Sequence, residues 1–165
     1  MGETRTAINV VADGARLISV AALGLFAGAM VTEGYVLVPY WRSLQPSEFF
    51  TWYAANDRRL FDFFAPLTAV ATLLAIASAV VSLWERHVRR SLTVFAAALA
   101  LAAVATFFIY FRDVNARFSA ASFGADEVGE ELTRWAMWHR WRTAMSVAAL
   151  GAGVLALWPA RRHRG

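Results

Sequence analysis

L-F-D-F-F-A-P-L-T-A-V-A-T-L-L-A-I-A-S-A-V-V-S-L, residues 60–83, is the stretch on which the fold turns. After Asp62 it stays apolar for about the 20 residues a spanning helix requires, and Glu85, Arg86, His87, Arg89 and Arg90 end it with charge that hydrocarbon excludes. Upstream, a comparable run covers about 17–39 and is interrupted only by Glu33. Downstream, an Ala-rich run covers about 91–111, its small side chains suited to close helix approach, and Arg112 and Asp113 close it. A polar segment with Asp126, Glu127, Glu130 and Glu131 comes next, then a fourth helix expected over about 134–158 and stopped by Pro159. The expectation is an all-α protein: a four-helix transmembrane bundle in which residues 1–165 form a single domain.

Composition agrees. Of 165 residues, 59% are hydrophobic and mean hydropathy is +0.46, more apolar than an ordinary soluble domain. Cysteine is absent, which excludes disulfides, thiolate metal sites and iron–sulfur clusters. The net charge of +4 comes from Arg scattered through short loops, with no basic stripe, so the expected partner is the lipid bilayer and no nucleic acid. Arg5, Arg16, Arg86, Arg89, Arg90, Arg161, Arg162 and Arg164 fall on the amino-terminal side of the spans. Arg42, Arg58, Arg59, Arg112, Arg117 and Arg134 share the other side with most of the acids. The positive-inside rule then predicts a multi-pass protein of the cell (plasma) membrane with both termini cytoplasmic. Ala27-Gly28-Ala29 resembles a signal-peptidase site, but the run stays apolar through Tyr35–Val38, favouring an uncleaved span.

Charge inside a membrane is costly, so its placement is informative. Alternating helix direction brings Glu33, Asp62, Asp113, His139 and Arg142 to the non-cytoplasmic end. Trp135, Trp138, His139 and Arg142 stand at i, i+3, i+4 and i+7 and share one helical face, which should point inward. A guanidinium at that depth needs a carboxylate, with Glu33 first and Asp62 and Asp113 next. Thr106, Tyr110 and Asp113 form a second face, with Asn115 just beyond it. Together these predict a polar chamber roofed by Trp41, Trp52 and Phe123. For each residue a purely structural role stands beside the functional one: the ion pair fixes register, the Trp residues anchor at the interface, and His139 is a hydrogen-bonded core residue or a general base. The other histidines, His87 and His163, fall at the opposite end, so no two-histidine metal or haem site can be assembled.

The stretch R-W-A-M-W-H-R-W-R-T, Arg134–Thr143, resembles the last helix of the anthrone-oxygenase-like membrane proteins. Their pattern there is Trp, two or three residues, Trp-Asn, two residues, Arg-Thr, matched by Trp135, Trp138, Arg142 and Thr143, with His139 where Asn is usual. The Val38-Pro39 step, Asn56 and Asn115 agree, whereas Asp113-Val114-Asn115 stands where Pro, one residue, Asn is usual. The resemblance implies an oxidoreductase that oxidises a lipophilic aromatic or quinol-like molecule with dioxygen, without a cofactor or with a metal's assistance. It further implies that His139 is the base, that Arg142, paired with Glu33, stabilises an oxyanion, and that Trp135 and Trp138 wall the substrate. Tyr110, Asp113, Asn115 and Asp62 complete the expected substrate site. The alternative is a non-catalytic membrane module that binds a lipid, a hydrophobic small molecule or a partner protein. Transport fits less well, because four helices would need a homo-oligomer to form a pathway.

Overall fold

The computed structural model describes residues 2–158, with side chains from residue 10 onward. Arg161, Arg162, His163 and Arg164, and the side chain of Arg5, lie outside the described residues. The first helical rod is α1 (Gly2–Thr32), a π-turn (Glu33–Leu37) and α2 (Val38–Ser43). The second is α3 (Pro46–Trp84). The third is α4 (Arg90–Thr106), a second π-turn (Phe107–Phe111) and α5 (Arg112–Ser119), and the fourth is α6 (Val128–Leu157). The packed neighbours are α1 with α3, α3 with α4, α4 with α6, and α6 with α1. Short connections between sequential neighbours and this closing contact define an up-down-up-down four-helix bundle.

Among the described residues, three stretches are long and apolar enough to cross a membrane: Val10–Ser43, Pro46–Trp84 and Arg90–Ser119. The fourth rod falls short because Glu130, Glu131, Arg134, Arg140 and Arg142 crowd its first half, yet it packs along both α1 and α4. Large apolar side chains that a soluble bundle would bury face outward instead, among them Leu25, Val70, Leu73, Phe95 and Leu101. That surface is consistent with contact with lipid.

The rods outlast the apolar runs. The segment before Leu60, read from hydropathy as a connection, is helical from Pro46, where Pro occupies the first turn and a capping box joins the Gln45 backbone N–H to Glu48 Oε2 at 3.0 Å. Its 39 residues extend about 58 Å, well beyond a hydrocarbon core of about 30 Å. The interior changes character along this length. At the amino-terminal end, Leu23 packs among Ala75, Ala79, Ala96, Ala97, Ala100, Ala149 and Ala152, so the helices approach closely. At the opposite end, Trp41, Phe49, Tyr53, Phe111, Phe118 and Trp135 form an aromatic core.

Candidate functional site

The site grows from the junction of the first and fourth rods. Leu23, Phe26 and Met30 turn inward from α1 at helical spacing, and Glu33 takes the next inward position, 5% exposed. There the helix widens: the Val38 N–H donates to Glu33 O, five residues back, so Val38 and Trp41 resume the inward face one residue late. From α6, His139 and Arg142 meet Glu33. Arg142 Nη2 donates to Glu33 Oε2 at 2.8 Å and lies 3.0 Å from His139 Nδ1, which is itself 3.4 Å from the same Glu33 oxygen. Glu33 is thus the carboxylate that Arg142 requires.

This geometry assigns the imidazole tautomer. His139 Nε2 stands 2.8 Å from Met30 O, a carbonyl that can only accept, so Nε2 carries the hydrogen. Nδ1 then presents its lone pair to Arg142, whose Nη2 supplies one N–H to it and one to Glu33. Thr143 Oγ1, 3.3 Å from Nε2, completes the ring's polar contacts. The ring is 2% exposed and lies parallel to Trp135, with centroids 5.1 Å apart. Its edge faces Gly34, where a β-carbon would come within 3.2 Å of Nε2, so a side chain there would press on the imidazole. The Arg142 guanidinium sits 4.2 Å over the Phe111 ring, and its Nε is buried without a hydrogen-bond partner among the described residues.

The remaining predicted residues divide. Trp135 belongs to the cluster, its Nε1 donating to Asn115 Oδ1 at 2.9 Å. Trp138 and Tyr110 are half-buried beside it and stack on one another, 5.2 Å apart and 12° from parallel. Asp62 and Asp113 are not brought in. Asp62 pairs with Arg58 at 3.0 Å and Asp113 with Arg112 at 2.9 Å, and their side chains are 55% and 70% exposed. For Asp113 the cause is the second π-turn: its extra residue rotates the remainder of the rod, so the face begun by Thr106 continues as Phe111, Val114 and Phe118. The roof expected over a polar chamber is packed aromatic core, where Trp41 and Phe123 are buried and Trp52 leans against them.

Two buried charges are not apparent from hydropathy. Glu131, 7% exposed, accepts from the Tyr110 hydroxyl at 2.6 Å and from Arg134 at 2.9 Å. Arg16, expected as a loop charge, is 4% exposed and binds Asp13, Ser82 and Glu85 at the other end of the bundle. Its spacing with Ser19, Leu23, Phe26 and Met30 is the signal that could have found it. Nearby, burial and then Arg16 hold the His87 imidazole below its ordinary range. Among the described residues, no group of three or more His, Cys, Asp or Glu stands where it could hold a metal ion. Comparison with protein-family models, with curated proteins and with solved structures finds no match.

Proposed function

We propose that this chain is an integral protein of the plasma membrane, crossing it four times with both termini in the cytoplasm, and that the Glu33–His139–Arg142 cluster near the outer end is its reaction centre. The α6 rod is counted as a span because it runs antiparallel between two apolar rods. The reading of the chemistry is an oxidoreductase of anthrone-oxygenase type acting on a lipophilic aromatic or quinol-like substrate. In that reaction an anthrone methylene loses two hydrogens and gains one oxygen atom of dioxygen, the other leaving as water. One observation carries the reading: an acid, a base and a fixed cation from two helices converge in one buried place between Trp135 and Phe111. With Nε2 tied to Met30, Nδ1 is the basic atom, and a phenolic oxygen arriving there would take over the Arg142 N–H that Nδ1 now accepts.

A second reading has its own support. Both imidazole nitrogens are already engaged and the ring is enclosed, which suits a non-catalytic module whose cluster fixes helix register while the protein binds a hydrophobic ligand or partner. Oxygen uptake by the purified protein with emodin anthrone separates the two. The oxidoreductase reading expects turnover that His139→Ala and Arg142→Ala abolish while helicity and elution volume persist. Equal rates in all three proteins reject the reaction centre, and a ligand that co-purifies without turnover supports the second reading.

A further inference from the structure

All four helices meet around a cavity of about 10 Å³ at the amino-terminal end of the bundle, far from the Glu33 cluster. Ala75, Ala96 and Ala156 line it with side chains too small to fill the space, and Gly153 lets α6 approach α1 closely, since a β-carbon there would come within 3.1 Å of Val20 Cγ2. Its lining is nevertheless polar on three sides: Ser19 from α1, Ser78 from α3 and Thr93 from α4, each no more than 4% exposed. The Thr93 hydroxyl donates to Arg90 O at 2.9 Å, which leaves its oxygen lone pairs free to accept. Arg16 also borders the cavity, but its Nε, Nη1 and Nη2 are directed to Ser82, Asp13 and Glu85.

A cavity can hold a water when it has room for about one probe sphere and offers two to four polar partners. An apolar cavity of that size stays dry, whereas hydroxyls shut away from solvent need hydrogen-bond partners. We propose that this cavity is a water-binding site, holding a single ordered water that bridges Ser19, Ser78 and Thr93. The water ties α1, α3 and α4 together where their side chains are too short to interlock.

X-ray radiolytic footprinting of the full chain in nanodiscs tests this, because hydroxyl radicals formed from a bound water oxidise the side chains around it. Leu23 lines the cavity and is 0% exposed; Leu132, 4% exposed, is buried in the aromatic core. Leu23 should be oxidised several-fold faster than Leu132. In Ser19→Ala/Ser78→Ala, with helicity and elution unchanged, the Leu23 rate should fall to that of Leu132. A wild-type Leu23 rate no higher than that of Leu132, or a high rate that persists in the double variant, overturns the proposal. Should the double variant fail to fold, Ser78→Ala alone is read in the same way, and its Leu23 rate should lie well below wild type.

Discussion

Glu33 and Arg142 neutralise one another, so removing one leaves the other charged and alone. Glu33→Gln is expected to destabilise the protein by about 3–5 kcal/mol, the range for breaking a buried pair. Glu33→Leu/Arg142→Met, which removes both charges, should recover most of that loss in a detergent melt. If the double variant remains as unstable as the single, the pair contributes more than mutual neutralisation. His87 gives a pH dependence of known sign. Its folded pKa lies below the ordinary value of 6.5, so the unfolded chain binds more protons as pH falls through that region. The stability associated with His87 is therefore full above about pH 6.5 and lost below it. The charges of Asp13, Arg16, Glu85 and Arg89 act on the ring and shape this response. A melting temperature tracked from pH 7.5 to pH 5 should drop less steeply in His87→Gln than in wild type. At this scale the sequence is informative where spacing speaks: Trp135, His139 and Arg142 share a face, and Glu33 is the carboxylate best placed to meet them. It is divided on Arg16, whose charge suggests a loop although its spacing matches the buried face.

Between residues and fold stand the helix ends and the π-turns. Hydropathy locates the apolar runs but not the helices, because α3 and α5 continue through polar and aromatic sequence that only packing explains. The Gln45–Glu48 capping box is legible in principle, since Pro46 at the first turn and Glu48 at the third position mark a helix start. The ends of α3 and α5 are not, because neither uses Gly. Both close in a Schellman pattern, with His87 N–H bonded to Ser82 O and Ser122 N–H to Arg117 O. The left-handed residue is Arg86 at φ 51° in the first case and Ala121 at φ 48° in the second. Ala121→Gly is expected to stabilise the protein by up to about 1 kcal/mol, read as a raised melting temperature; an unchanged or lower value would mean the turn is held by contacts of the Ala121 side chain. Extra residues in π-turns are equally hidden from pattern reading. An α-helical count from Thr106 places Asp113 inward, and the turn at Phe107–Phe111 sends it to the surface.

The whole molecule is a bundle whose apolar middle lies between two unlike ends. The class is plain in the sequence, because runs of some twenty apolar residues leave few other folds. The aromatic core beyond the apolar zone is not, since it is assembled from four separate stretches. Orientation can be tested directly, as the native chain has no Cys to interfere. Ser47→Cys lies in the first turn of α3 and Val88→Cys in the α3–α4 connection, both at exposed positions. In intact cells an impermeant maleimide should label the first and reach the second only after permeabilisation; the reverse pattern would invert the proposed topology. The pairing of Glu33 with Arg142 also bears on biogenesis, because the partners are 109 residues apart in the chain. At a ribosome's pace of about 5–20 residues per second, the carboxylate emerges roughly 5–20 s before its guanidinium. For that interval the acid has no counter-ion, and taking up a proton is the route by which it can be neutral before its partner is made.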